Sequence, residues 1–238
     1  VTGADVADCN LVAKVVAQAP TEQEAQELAE QVEIVGQAVG STLKVRSKEP
    51  DLSDNRWISV SYTIIVPRQM NVRCDSDFGS LDVSHIEGRL DGKSGNGAVK
   101  AQDIRGQTNL RTSFGAIECR DVTGPAITLS SGNGPITAAG LRGPVTAETS
   151  FGAISCKDSA DGDLKLKSGN GPITVANASF GVCDARSSFG AIVGNDLRGD
   201  AVTLDSGNGT LELDNVQTKT LDLSSSFGSL RASGIIAS

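Results

Sequence analysis

The feature that most constrains this chain is a pair of dipeptides that take turns. Phe-Gly and Asn-Gly alternate without exception: Phe78-Gly79, Asn96-Gly97, Phe114-Gly115, Asn133-Gly134, Phe151-Gly152, Asn170-Gly171, Phe189-Gly190, Asn208-Gly209 and Phe227-Gly228. Successive glycines stand 18 or 19 residues apart. A second series lies halfway between: Gly88, Gly106, Gly124, Gly143, Gly162, Gly181 and Gly199, with its next member missing near Thr218-Lys219. Fixed spacing of this kind is the signature of units that stack on one another. The half-repeat is therefore nine or ten residues, the coil is 18 or 19, and the sequence unit is a pair of coils.

Each half-repeat reads as a strand followed by a turn. Glycine is expected to supply positive φ at the turn, with asparagine the next-best residue there. The residues two and four places after each glycine are mostly apolar, and the one between them is often polar. That alternation buries one face of a strand.

Aligning the coils turns these positions into ladders. Two places after the Phe/Asn-side glycine come Leu81, Val99, Ile117, Ile136, Ile154, Ile173, Ile192, Leu211 and Leu230. Four places after it come Val83, Ala101, Cys119, Ala138, Cys156, Val175, Gly194, Leu213 and Ala232. A third ladder is read as Ile86, Ile104, Val122, Leu141, Ala160, Leu197 and Val216. The opposite strand supplies Leu110, Leu129, Ala147, Leu166, Ala185, Leu204 and Leu223. Three places before each of these glycines stands a hydroxyl, from Ser76 through Thr112 and Ser168 to Ser225, suited to satisfying turn amides. The expected fold is all-β: a single-stranded β-solenoid of about nine coils over residues 71–238, right-handed by the general preference of parallel crossovers.

Residues 1–70 lack the repeat and are expected to form an α+β cap. Thr21-Glu22-Gln23-Glu24 after Pro20 is a capping box. Ala25, Leu28, Ala29 and Val32 then share one helical face. Strands are expected at Leu11 to Gln18, at Thr42 to Arg46 and along Ile58, Val60, Tyr62, Ile64 and Val66, with a polar loop from Lys48 to Asn55. A cap is needed because an open end of a solenoid exposes unpaired backbone groups. The last residues, Ser233 to Ser238, stop partway through a coil, so that end either continues in a longer protein or meets a partner.

Composition narrows the function classes. Lys+Arg number 21 and Asp+Glu 29, a net charge of −8, and no basic run is present. That argues against a nucleic-acid partner, which would need clustered cations. No stretch is apolar for long enough to span a membrane. The chain begins at Val1 and carries no signal peptide, so any export signal or anchor is expected outside this segment.

The stretch from Val66-Pro67 to Gly124, with its Ser-Gly-Asn/Phe-Gly-x-Ile and Gly-x-Val half-coils, resembles the bacterial adhesin-like β-solenoid family. Those domains of unknown function are related to the toast-rack domains of envelope-stress proteins. The resemblance extends over essentially the whole chain, helix included. It implies a location at the bacterial envelope or cell surface, and it carries across no catalytic residues, cofactor or metal. Fold by itself does not settle function.

Candidate sites follow from residue types. His85 is the one histidine, and no Gly-x-Ser-x-Gly motif offers it a nucleophile. Cys119 and Cys156 lie two coils apart with Ala138 between, about 10 Å, too far for a disulfide. They are expected to be small core residues. Cys9 and Cys74 are left open as a pair. Asp158, Asp161 and Asp163 form the nearest acidic cluster and read as a turn.

The most suggestive feature is the row Phe78, Phe114, Phe151, Phe189 and Phe227, at steps of about 10 Å. It is either an interaction row for a glycan, a partner strand or a second solenoid, or a set of rings that fills a corner. The corner reading is the more economical of the two. The expected function is a non-enzymatic scaffold that presents a repetitive face to a protein or glycan at the envelope. The alternative is a self-assembling subunit of a filament or surface layer. A sugar-cleaving β-helix enzyme is a distant third, since its acids would have to cluster.

Overall fold

The computed structural model describes residues 1–39, 42–52 and 55–237; within the expected polar loop from Lys48 to Asn55, Ser53 and Asp54 lie outside them, as does Ser238. The chain falls into two compact units: Ala7–Val66 with Val1, and Pro67–Ser238 with Thr2–Val6.

In the first unit, Thr21 caps a helix over Glu22–Glu30, its hydroxyl accepting from the Glu24 amide at 3.2 Å. Only this half of the capping box is made. The Glu24 carboxylate faces Arg56 instead, at 3.9 Å. Leu28 is buried, and Ala25 and Ala29 are half-buried beside it. Strand Asn10–Gln18 pairs antiparallel with Trp57–Pro67. A further strand, Glu33–Val39, pairs antiparallel with Thr42–Lys48. Sequence reading missed Glu33–Val39 and ran the helix two residues past Glu30, because Val32 continues the helical apolar stripe.

The second unit is the β-solenoid, about nine turns of roughly 19 residues. Two faces of parallel strands run the length of the stack in strict register. On one, Leu81 pairs with Val99, then Ile117, Ile136, Ile154, Ile173, Ile192, Leu211 and Leu230. On the other, Val72 pairs with Leu90, then Thr108, Ile127, Val145, Leu164, Cys183, Val202 and Leu221. At the strand spacing of about 4.8 Å, nine coils span roughly 40 Å. Above the first coil, strand Thr2–Ala4 pairs parallel at Thr2 with Ser84, and Arg68 binds Asp5 at 3.0 Å.

The interior follows the ladders. Ile117, Ile136, Ile154 and Ile173 are at most 1% exposed, and Leu110, Leu129 and Leu166 face them from the other strand. Gly194 sits where a side chain would strike Leu213 and Leu197. The third ladder needs one correction. Ser159, not Ala160, is the buried member, and Ala178, passed over in the sequence, continues it to Leu197. The spacing shifts by one residue there, which masks the register.

The turn glycines also serve a different purpose from the one expected. Among the described residues, Gly140, Gly143 and Gly234 are the glycines with positive φ, and none of them belongs to a Phe/Asn turn. The glycines of the Phe/Asn turns are required by the coil beneath. A Cβ on Gly97 would lie 2.2 Å from the Gly79 carbonyl oxygen, and one on Gly134 would lie 1.9 Å from that of Gly115. The same carbonyl is a hydrogen-bond acceptor. Ser94 Oγ donates to Gly79 O at 2.9 Å while accepting from its own turn amide, Gly97 N, at 2.9 Å. Ser168 repeats this with Gly152 O at 3.0 Å and Gly171 N at 2.9 Å. The hydroxyl ladder thus satisfies its own turn amides, as expected, and it also bonds the glycine carbonyl of the coil beneath, which the sequence reading did not include.

Three changes test this account by denaturant unfolding. Ile136→Ala should lower stability by about 2–5 kcal/mol. Gly134→Ala should cost about 1–3 kcal/mol through overpacking against the Gly115 carbonyl, whereas Asn133→Ala, on the exposed side of the same turn, should stay within about 0.5 kcal/mol.

Candidate functional site

The Phe/Asn turn edge is built by two kinds of turn that alternate. In Asn turns the preceding residue is glycine, and its amide and the next donate to successive carbonyls below: Gly132 N to Thr112 O and Asn133 N to Ser113 O, both at 3.0 Å. In Phe turns the preceding residue is serine in four of the five coils, and both amides converge on one carbonyl: Ser150 N and Phe151 N reach Gly132 O at 3.0 and 3.3 Å. A Cβ on Gly132 would lie 2.3 Å from Ser113 O, so glycine is obligatory at that place in Asn turns. Stacking geometry therefore explains the two-coil period of Gly and Ser.

It does not explain the phenylalanines. Phe78, Phe114, Phe151, Phe189 and Phe227 are 60–86% exposed. The corner-filling reading is thereby corrected: the rings stand outside the turn, and the interior is already filled by the aliphatic ladders. Phe180, the sixth phenylalanine, shows the contrast. It is 8% exposed and lies over Gly199, which has no Cβ to obstruct it. Asn96, Asn133, Asn170 and Asn208, between the exposed rings, are exposed too, and their side-chain amides have no hydrogen-bond partner among the described residues.

A second ladder escaped sequence reading. His85, Asp103, Asp121, Asp158, Asn177, Asp196 and Asn215 all have positive φ, with Gly140 and Gly234 at the equivalent places. Each lies six residues after an edge glycine, and that spacing was the available signal. This is a left-handed corner, which short polar side chains tolerate best after glycine. The side chains then bond coil to coil: Asn177 Nδ2 donates to Asp158 Oδ1 at 2.6 Å and Asn215 Nδ2 to Asp196 Oδ1 at 2.5 Å. His85 heads the series, with Nε2 4.0 Å from Asp103 Oδ2.

The acidic trio divides likewise. Asp158 belongs to the corner, Asp161 binds Arg142 at 3.1 Å, and Asp163 accepts from Val182 N at 2.8 Å. Among the described residues no group of three or more His, Cys, Asp or Glu is placed to hold a metal ion. Nor is any helix long and apolar enough to cross a membrane.

On the strand face of the first three coils, a shallow hollow of about 220 Å³ is lined by Arg73, Asp75, Arg89, Asp91, Lys93 and Arg111, among others. Arg73 pairs with Asp75 at 2.8 Å and Arg89 with Asp91 at 2.7 Å. The Arg89 hydrogen bond, helped by Asn109, holds the Asp91 carboxyl below its ordinary range. Two of the four cations are thus already matched, and such exposed pairs contribute little to stability.

The cysteines are interior residues. Cys119, Cys156 and Cys183 are fully buried and free, with Ala138 in register between the first two. Cys74 is a free, half-buried thiol. Burial pushes the thiols of Cys119 and Cys183 up to about 12 and raises that of Cys156. A thiol whose folded pKa is raised stabilises the fold fully below its unfolded pKa. That contribution is lost as pH rises from the ordinary 9.0 toward 12. Unfolding followed across pH 8 to 12 should show this alkaline decline, and Cys119→Ala/Cys183→Ala should flatten it. At pH 8 these three thiols should resist alkylation until denaturant is added.

No family model, no characterised protein and no solved structure matches this chain.

Proposed function

We propose that this chain is a presenting module and not a catalyst: an adhesin-like scaffold of the bacterial envelope or cell surface, whose Phe/Asn turn edge is a repetitive binding face. The observation that carries this reading is the exposure of five phenylalanines in one line. Scattered apolar residues on a surface need no explanation, but aligned ones mark interaction sites. The turn backbone accounts for the glycines and serines of the edge and leaves the rings without an internal role. A stack locked by parallel pairing also presents its edge without an ordering cost on binding. The resemblance of Val66–Gly124 to adhesin-like solenoid domains supports the envelope location. In this reading His85 is a corner residue, and no catalytic role is assigned. The same row favours a second reading, lateral contact between copies in a self-assembling layer.

Sedimentation with isolated bacterial envelopes, beside light scattering from micromolar to hundreds of micromolar protein, tests the proposal. The full chain should co-sediment with envelopes and remain monomeric, and Phe114→Ser/Phe151→Ser/Phe189→Ser should abolish co-sedimentation while leaving the circular dichroism spectrum unchanged. Equal sedimentation by this variant would sink the edge as the binding face. Phe-dependent growth in mass with protein concentration would select the second reading.

A further inference from the structure

We infer that the partner of the Phe/Asn edge is an extended, uncharged β-1,4-linked glycan lying along the stack. This rests on the reading of the edge as a binding face and names its ligand class.

Three observations support it. The first is spacing. Rings recur every second coil, and two strand spacings make about 9.6 Å. That is close to the disaccharide repeat of an extended β-1,4-linked chain, in which every second sugar presents the same face. Parallel pairing in strict register keeps the step constant along the row, so each ring meets a chemically equivalent sugar. Pyranose C–H faces are apolar and stack on aromatic rings, as bases do in single-strand binding grooves.

The second is hydrogen bonding. The coils between the rings carry Asn96, Asn133, Asn170 and Asn208, whose exposed amides have no partner among the described residues. An amide offers two donor hydrogens and an acceptor oxygen. Placed halfway between stacked sugars, it faces the equatorial hydroxyls of the intervening residue. A purely apolar partner, such as a lipid tail, would leave those amides desolvated and unsatisfied.

The third is charge. From Gly95 to Ser229 the turn residues flanking the rings and amides are Gly, Ser, Ala, Pro and Thr, with no charged side chain, in a chain of net charge −8. A charge-free strip on an acidic protein matches a neutral polymer and offers an anionic one no cation to hold.

Titration of the full chain with β-1,4-linked gluco-oligosaccharides of four, six and eight residues, followed by calorimetry, tests this. Affinity should rise stepwise with each added disaccharide, and an α-1,4-linked series of equal length should bind at least about tenfold more weakly. Phe114→Ser/Phe151→Ser/Phe189→Ser should lose about tenfold or more, and Asn133→Ala/Asn170→Ala should also weaken binding, both with unchanged thermal unfolding. Binding that ignores chain length, or that survives the Phe substitutions, overturns the inference. No oligosaccharide binding alongside Phe-dependent sedimentation with envelopes also overturns the glycan, yet leaves the edge a binding face for another partner. Loss of both overturns the edge itself.

Discussion

At the turn edge, each coil of this solenoid is tied to the next through the carbonyl oxygen of the edge glycine. It accepts the Ser or Thr hydroxyl of the next coil, and it fills the volume that a side chain on the next glycine would need. Close approach and hydrogen bonding are therefore one requirement. A turn that carried a Cβ would have to move off the carbonyl beneath it, and the hydroxyl's bond to that acceptor would weaken. The regularity of the sequence is the consequence: a position that meets its own image every 4.8 Å or so has the same neighbours in each coil.

The interior obeys a softer version of the same rule. Apolar ladders tolerate exchange of Leu, Ile and Val, because neighbouring coils compensate for volume, as Gly194 does for Leu213. Buried Cys119, Cys156 and Cys183 fit as small apolar fillers whose protons burial retains. At the left-handed corner the constraint is conformational, and Asp, Asn, Gly and His85 share the place because few other residues accept that backbone. Where several residue types satisfy a backbone, the repeat is hard to see in the sequence. This is why the corner ladder was overlooked and the third apolar ladder slipped by one at Ser159.

The outer edge is the part of the repeat that backbone stacking leaves free to vary, and yet it does not vary. Asn turns demand glycine before the asparagine, while Phe turns accept serine, so two-coil alternation has a structural origin. The rings use that alternation without being required by it. A surface that holds five of six phenylalanines outward, with partnerless amides between them, has its chemistry directed at something beyond the chain.

The sequence by itself determined the coil length, the parallel register, the identity of most interior ladders and the bond of the hydroxyls to their turn amides. Each of these repeats, and a residue that recurs at a constant spacing can be placed without coordinates. It also settled Cys119 and Cys156 as core residues two coils apart. Only the tertiary structure decided which way the phenylalanines face, because an aromatic at a turn satisfies the repeat equally well inside or outside. Only the structure showed that edge glycines are demanded by a neighbouring carbonyl and not by their own φ, since that contact joins residues 18 or 19 places apart in the chain. It also decided that Glu33–Val39, left unassigned by its local pattern, pairs as a strand with Thr42–Lys48, and that Thr2–Ala4 lies against Leu81–Ile86, a contact between distant segments that no local pattern records.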